Sequence, residues 1–375
     1  MSQRNLAVIF DHPEGAKSII PLQKSILGLM SVTKPLVLLT GPNGFVGAHI
    51  LDTLLKSNYR VRGTVRSLSK ADFFNKKYAT QAAKGDLTFT VVPDIQAPHA
   101  LDDASEDVDY ICHVASPYFT TTNDPVRELV EPAVNGTRNV ISSALKAKNL
   151  KRLTVLSSFA SVVDLSKNPR AGYIYTEKDW DPLTLEDAAK DGVLGYHASK
   201  TLAEKAAWEL WREAKAKGQI KWDLVTFCPP MIYGPPIHEV DPTRGVEGLN
   251  TSTKRLISSI QGDDPNFKPR VATPALPAWV DVRDVAEAHV RGLALAKGVS
   301  ERFLLCGGVN YYEDGLAGLR AKGEPGLGEE GAHCDPSKHF SLDKSKAEQV
   351  LHLQFRSFQQ TVEDSWEAVK KLGIV

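Results

Sequence analysis

Two residues four positions apart, Tyr196 and Lys200, suggest acid catalysis. They open a run of mixed apolar and charged residues that ends near Gly218, and this pattern predicts a helix. Side chains four apart share one helix face, so the ammonium would lie beside the phenol. Its charge favours the phenolate, which lowers the pKa of Tyr196 below the usual value of about 10 and makes it a proton donor near neutral pH. The alternative is an amphipathic helix in which neither residue has a chemical role.

A glycine-rich turn near the start of the regular sequence suggests a phosphate-binding site. The apolar run from Leu36 to Thr40 predicts a buried strand, and a helical pattern follows the turn. Gly41 allows a tight turn, Gly44 lets the backbone approach a pyrophosphate, and Gly47 lets the helix pack on the strand. The spacing is GxxGxxG, not the GxGxxG of the commonest dinucleotide fingerprint. A plain strand-to-helix turn, the alternative, would not need three glycines. The other candidate cofactor contacts in the turn are Asn43, Phe45 and Val46.

The end of the second predicted strand, Arg60 to Val65, indicates which dinucleotide binds. The adenosine ribose should lie here, about 20 residues after the first glycine. A carboxylate would select NAD, but none occurs from Asn58 through Ala71. Arg62, Arg66 and Lys70 occur instead, and we assign Arg66 to a 2′-phosphate with Lys70 in support. The sequence therefore predicts NADP(H) as the cofactor, unless these cations are only solvated surface groups.

Strands and helices alternate through most of the chain. The further runs that predict strands are Leu87 to Val92, Asp109 to Val114, Arg152 to Leu156, Asp223 to Cys228 and Arg302 to Cys306. This alternation predicts an α/β fold with a Rossmann-type doubly wound parallel sheet. Ligands bind at the carboxyl ends of such strands. The candidates there are Asp94 and Ile95 beside the adenine, Ala115, and the pair Ser157 and Ser158. His113, flanked by apolar residues, is more typical of a core histidine than of a ligand.

The pattern divides the chain into three parts. Residues 1–33 are predicted to be an N-terminal extension outside the fold. Residues 34–235 form the dinucleotide-binding domain, and residues 278–306 return to it. Residues 236–277 and 307–375 form a small substrate-binding lobe that closes over the carboxyl edge of the sheet.

The composition excludes several classes of partner. Lys+Arg and Asp+Glu both number 45, so no net charge recruits nucleic acid or an anionic membrane. No apolar run approaches the roughly 20 residues that a membrane-spanning helix needs. The four cysteines (Cys112, Cys228, Cys306 and Cys334) lie far apart and form no metal-binding motif. We expect no metal site, reduced thiols and a cytoplasmic location.

Several of these motifs, taken in order, resemble the extended short-chain dehydrogenase/reductases. The resemblance covers about residues 34 to 372. Its motifs are the three glycines, Ser158, the Tyr196/Lys200 pair, Pro229 with Tyr233-Gly234-Pro235, and the segment Trp279 to Val285. Within that family the chain is similar to the branch of dihydroflavonol reductases, cinnamoyl-CoA reductases and fungal ketone and aldehyde reductases.

The resemblance implies a role for each site residue. Ser158 would donate a hydrogen bond to the substrate carbonyl, Tyr196 would deliver a proton, and Lys200 would hold the nicotinamide ribose. Ser157 lies one residue earlier on the strand and would point to the other face. The resemblance also places Ala115 and Pro229 beside the cofactor. Substrate-lining positions carried over from the family are Tyr118, Phe159, Val163 and Met231, with ordinary packing as the alternative.

The function implied is reduction of a ketone or aldehyde to an alcohol with NADPH. The partner is then a small carbonyl compound, and the protein is a monomer or a homodimer. A nucleotide-sugar epimerase or dehydratase of the same superfamily is one alternative, and the arginine after the second strand argues against it. A non-catalytic NADP-sensing regulator is the other, but this chain keeps the serine, the tyrosine and the lysine.

Overall fold

The computed structural model describes residues 33–115, 121–262 and 276–375. Pro35–Val375 form one compact unit. The predicted N-terminal extension lies outside the described residues except for residue 33, and the substrate candidate Tyr118 lies outside them as well. No helix among the described residues is long and apolar enough to span a membrane.

Each of the seven strands predicted from the sequence corresponds to a strand of the structure, which also contains shorter strands that were not predicted. The strands are β1 Leu36–Thr40, β2 Arg60–Val65, β3 Leu87–Val91, β4 Tyr110–His113, β5 Arg152–Leu156, β6 Ile174–Tyr175, β7 Asp223–Cys228, β8 Met231–Tyr233, β9 Ala278–Asp281, β10 Glu301–Leu304, β11 Gly308–Val309 and β12 Ser341–Leu342. The helices are α1 Phe45–Lys56, α2 Asp72–Lys77, α3 Ala79–Ala83, α4 Asp102–Ser105, α5 Glu131–Lys146, α6 Leu185–Ala188, α7 Gly192–Ala216, α8 Thr251–Gln261, α9 Val282–Leu293, α10 Ala317–Ala321, α11 Ser345–Val350 and α12 Phe358–Lys371.

A seven-stranded parallel sheet forms the centre of the described structure, in the order β10-β7-β5-β4-β1-β2-β3. Side chains of β1 alternate between two cores. Val37 and Leu39 pack with α1 and α9, whereas Leu36 and Leu38 lie in the core formed with α5 and α7. Burial on both faces explains the unbroken apolar run of β1. The predicted Rossmann-type, doubly wound fold is confirmed.

The strand order reverses next to β1. This topological switch point is where a ligand-binding site is expected. β4 and β2 flank β1 on its two sides, so the carboxyl ends of β1 and β4 open a crevice. In open parallel sheets, ligands bind in that crevice. Gly41 after β1 and Ala115 after β4 meet there, since a Cβ on Gly41 would lie 3.2 Å from the Ala115 Cα.

Residues 278–306 are predicted to return to the dinucleotide-binding domain, but β9 within this range does not join the main sheet. α9 and β10 do return, but β9 pairs with β8 and β11 in a separate three-stranded sheet. The ring of Trp279 on β9 lies 4.7 Å from that of Phe358 in α12. All four residues of β9 are buried, so the strand has no alternation of apolar and polar residues that would indicate which sheet it joins.

The predicted substrate lobe shares one hydrophobic core with β8 and β9. Its members come from β8, β9, α8, α10, α12 and the turns before α8 and α10: Tyr233, Leu249, Leu256, Ile257, Ile260, Trp279, Tyr312, Leu316, Leu319, Phe358, Val362, Trp366 and Val369. Buried Asp281 links this lobe to α9, because it caps the helix through the Arg283 amide and accepts from the Thr361 hydroxyl at 2.7 Å. The lobe boundaries themselves stay a prediction.

Candidate active site

The turn between β1 and α1 is shaped as a phosphate cradle. Gly41 has a φ of +68°, which only glycine adopts readily. A Cβ on Gly47 would lie 2.0 Å from the Gly41 carbonyl oxygen, so no side chain fits there. No side chain caps the N-terminus of α1, and its first turn holds no acidic residue. Exposed backbone amides at a helix N-terminus favour an anion, so the turn fits the pyrophosphate of a dinucleotide.

Alanine at Gly44 and at Gly47 should have different effects. Gly47→Ala forces the turn to shift, so we expect the melting temperature to fall by a few degrees and NADPH to bind at least about tenfold more weakly. Gly44 has φ −84° and ψ 168°, and its Cβ would lie 3.6 Å from the nearest atom, an ordinary contact. Gly44→Ala should therefore keep its melting temperature without cofactor and lose only affinity for NADPH.

Thermal unfolding with and without NADPH separates the two effects. Unchanged NADPH affinity in Gly44→Ala would show that the pyrophosphate does not approach the backbone at Gly44. Unchanged stability in Gly47→Ala would show that the turn yields to a side chain.

Thr40 fixes the loop after β4 against the cradle. Its hydroxyl oxygen accepts from the amides of Val114 and Ala115 at 2.9 and 3.0 Å, and lies 3.0 Å from His113 Nδ1. Burial, with the nearby Lys200 charge, lowers the pKa of His113 to about 4. His113 is therefore a neutral, hydrogen-bonded core histidine near pH 7, in agreement with the sequence-based interpretation.

The end of β2 presents basic side chains toward solvent. Arg66 and Lys70 are both exposed. Arg62 instead donates to Asp107 at 2.7 Å and to the Ala104 carbonyl at 2.9 Å, so its side chain connects β2 to the segment around α4. The exposure of Arg66 and Lys70 agrees with their assignment to a 2′-phosphate. Their role as its ligands stays a prediction.

The candidate adenine contacts lie beyond β3. Asp94 is exposed and its carboxylate accepts from the Gln96 amide at 2.8 Å. Ile95 is half-buried, and Asn139 on α5 donates to its carbonyl oxygen at 3.0 Å. Both residues are thus held by local hydrogen bonds, and contact with the adenine stays a prediction.

Tyr196 and Lys200 lie one turn apart on α7, as the spacing predicts. The Lys200 ammonium is 5.6 Å from the centre of the Tyr196 ring. Burial lowers the pKa of Lys200 to about 8. Asp191 caps the helix through the amides of Val193 and Leu194. The two side chains are half-buried, so they are accessible to a ligand while the helix holds them in place.

The two serines after β5 face different surroundings. Ser157 is buried and donates to Glu204 at 2.6 Å. Ser158 is half-buried, and its hydroxyl oxygen accepts from the Ala160 amide at 3.1 Å at the start of the 3₁₀ turn Phe159–Ser161. That turn packs against α7. This supports Ser158 as the candidate that faces a substrate, with Ser157 turned to the core.

The candidate substrate-lining residues are placed unequally. Phe159 and Val163 are 2% and 0% exposed and belong to the core around Tyr175 and Phe340. Met231 on β8 is half-buried. For Phe159 and Val163 the structure favours the packing alternative, since little of either surface can meet a ligand. Pro229, the remaining cofactor candidate, is buried, and its carbonyl accepts from the Phe159 amide at 2.7 Å.

Comparison with known proteins agrees with this geometry. A model of the NAD dependent epimerase/dehydratase family matches residues 37–307. The chain belongs to this family. Within it the chain is similar to the NADPH-dependent methylglyoxal reductase Gre2 of Saccharomyces cerevisiae, with 31% identity over 89% of this chain and 98% of the relative. It is also similar to the ketoreductase azaE of Aspergillus niger, with 33% identity over 88% of this chain and 96% of the relative.

Solved structures of family members superpose on most of the chain. The crystal structure of yeast Gre2 complexed with NADPH matches with a TM-score of 0.78 and 29% identity, covering 91% of this chain and all of that one. The structure of Gre2 from Candida albicans in complex with NADPH has the same TM-score with 30% identity, and covers 90% of this chain and 99% of that one. These likenesses place the chain among the extended reductases of the epimerase/dehydratase family.

Two buried residues beside the site are not predicted from the sequence as a pair. Glu204, on α7, and Arg302, on β10, form an ion pair at 2.9 Å behind Ser157. In the sequence, Glu204 could be noticed only as a charged residue on the apolar face of the predicted helix, four positions after Lys200. Its partner lies 98 residues away along the chain, and no sequence pattern connects the two.

Proposed function

We propose that the protein is an NADPH-dependent reductase that converts a ketone or aldehyde into an alcohol. The observation that carries the proposal is the Tyr196/Lys200 pair on α7, in a fold whose glycine cradle fits a dinucleotide. Arg66 is exposed at the position where the sequence predicts the adenosine ribose, and no carboxylate occurs from Asn58 through Ala71, which supports NADPH over NADH. Relatives named as NADPH-dependent methylglyoxal reductase and ketoreductase support the same reaction.

The candidate residues divide the steps of this reaction among them. NADPH would supply the hydride to the carbonyl carbon. Ser158 donates a hydrogen bond to the carbonyl oxygen and polarises it, and Tyr196 gives its phenolic proton to that oxygen. Lys200 stabilises the phenolate that remains, since an ammonium beside a phenol favours the ionised form.

The substrate we propose is a small carbonyl compound. Half-buried Met231 supports an apolar pocket wall, which holds its ligand mainly by burial. We further propose a cytoplasmic protein that acts as a monomer or homodimer. The four cysteines, all free thiols, support a reducing compartment.

NADPH oxidation by the purified protein tests the proposal. We expect turnover with at least one member of a panel of dicarbonyls, aryl ketones and aliphatic aldehydes, and slower turnover with NADH at equal concentration. Tight NADPH binding without reduction of any carbonyl would favour a sensor. Protein that is purified with bound NAD⁺ and prefers it would favour an epimerase or dehydratase.

A further inference from the structure

The Glu204 carboxylate is the centre of a buried hydrogen-bond cluster behind the candidate active site. The residue is 1% exposed. Oε2 accepts from the hydroxyls of Ser157 and Ser161, both at 2.6 Å. Oε1 accepts from the Thr226 hydroxyl at 2.7 Å and from Arg302 Nε at 2.9 Å. Burial raises the pKa of Glu204, but Arg302 and the hydroxyls outweigh burial and hold it below its usual value. The carboxylate is therefore ionised.

Arg302 completes the cluster by donating to acceptors on several elements. One terminal nitrogen donates to the carbonyl oxygens of Glu177 and Asp179, and the other to the Ser161 hydroxyl oxygen at 2.9 Å. The guanidinium also lies 3.7 Å from the centre of the Trp180 ring. A planar guanidinium that donates several hydrogen bonds is well suited to a buried ion pair. The cluster thus joins β5, α7, β7, β10 and the loop after β6.

Ser161 connects this cluster to Ser158. The Ser161 amide donates to the Ser158 carbonyl oxygen at 2.9 Å, and the Ser161 hydroxyl oxygen lies 2.7 Å from the same atom. The single hydroxyl proton can serve either that carbonyl or Glu204 at one time. Ser157 also donates to Glu204. One carboxylate therefore binds the residue before Ser158 and a residue three positions after it.

Glu204 also belongs to the helix that carries the other two candidates. It lies four residues after Lys200 and eight after Tyr196, on nearly the same face of α7. An anchor there resists rotation or sliding of α7 relative to the end of β5. Ser158 comes from one element and Tyr196 from the other, and proton transfer requires both within hydrogen-bond reach of one oxygen.

We propose that the Glu204–Arg302 pair is a positioning device that sets the Ser158 turn against the Tyr196 face of α7. It rests on the proposed reductase function, because it concerns the geometry of that reaction. A displacement of about 1 Å in such a site can cost about a hundredfold in rate. Binding of NADPH, which we assign mainly to the backbone of the β1–α1 cradle, should be far less sensitive.

Two nearly isosteric variants separate positioning from a purely structural role. Ser161→Ala removes the hydroxyl that links Glu204 to the Ser158 turn. Thr226→Val is the matched control, because it removes a similar hydrogen bond to the same carboxylate from a side chain on β7 and changes no residue of that turn. We expect Ser161→Ala to lower kcat about tenfold with the Kd for NADPH within about twofold. Thr226→Val should keep its kcat, although both variants should lose comparable thermal stability.

A double variant, Glu204→Met with Arg302→Met, tests the pair itself. Replacing both members of a buried ion pair with apolar residues often preserves folding, whereas removing one leaves an uncompensated charge. The double variant should fold and bind NADPH while its kcat falls by at least about thirtyfold. A folded double variant with kcat within threefold of the wild type would overturn the proposal, as would equal kcat values for Ser161→Ala and Thr226→Val.

Hydrogen exchange provides a readout that does not need turnover. Amides of residues 157–163 should exchange faster in Ser161→Ala than in Thr226→Val. If the wild type reduces no carbonyl, the reductase function fails while this comparison still decides whether the cluster holds the Ser158 turn. Equal exchange in that segment for both variants would overturn the positioning role.

Discussion

Replacing Tyr196 with phenylalanine will lower kcat for carbonyl reduction by about 10²- to 10⁴-fold and leave the Kd for NADPH within about threefold. A positioned general acid contributes a factor of this size, and phenylalanine keeps the ring while removing the only proton that the side chain can give. The ring stays one turn from Lys200, whose ammonium lies 5.6 Å from its centre. Cofactor binding relies mainly on the cradle at α1 and should persist.

Steady-state rates and NADPH fluorescence titration measure the two effects in the same preparations. Tyr59→Phe is the matched control, because Tyr59 is half-buried near the amino end of β2 and its ring packs against Tyr110. That variant should match the wild type in both measurements. Rates for Tyr196→Phe close to those of the control would remove Tyr196 from the mechanism and, with it, the main support for a reductase.

Local patterns explain why much of the fold and the Tyr196/Lys200 pair were predictable. The run of β1 is buried on both faces, and a strand of this kind needs apolar residues throughout. Helix periodicity alone brings Tyr196 beside Lys200. The sequence predicts glycine at position 47 for close packing of helix on strand, and a Cβ there would lie 2.0 Å from the Gly41 oxygen, in the turn that joins the two. Each of these depends on residues near in sequence.

What the sequence did not reveal depends on contacts between distant segments. Glu204 is visible in the sequence only as a charge on the apolar face of a predicted helix, and its ion-pair partner Arg302 lies 98 residues away. Phe159 follows the catalytic serine candidate directly, yet its ring packs 5.3 Å from that of Tyr175 and 5.5 Å from that of Phe340. The identity of the sheet that contains β9 depends likewise on long-range pairing with β8. Periodicity shows which face of an element is buried but not which element covers it.

Arg66→Ala should weaken NADPH binding about 10- to 100-fold and leave NADH binding unchanged. The estimate follows from the loss of a hydrogen bond between charged groups, worth about 1.5–3 kcal/mol. NADH has no 2′-phosphate, so it should not respond to this residue. Arg62 cannot replace the lost cation without breaking its own bond to Asp107 at 2.7 Å.

Affinities for both cofactors, measured at several salt concentrations, test this expectation. Lys76→Ala is the matched control: it removes the same charge from an exposed site on α2, and neither cofactor should bind differently. The difference between Arg66→Ala and this control should shrink as salt rises, because an exposed cation is screened. If NADH affinity falls in step with NADPH affinity, Arg66 supports the loop and not the 2′-phosphate. Cofactor preference would then rest on Lys70 or on groups beyond the end of β2.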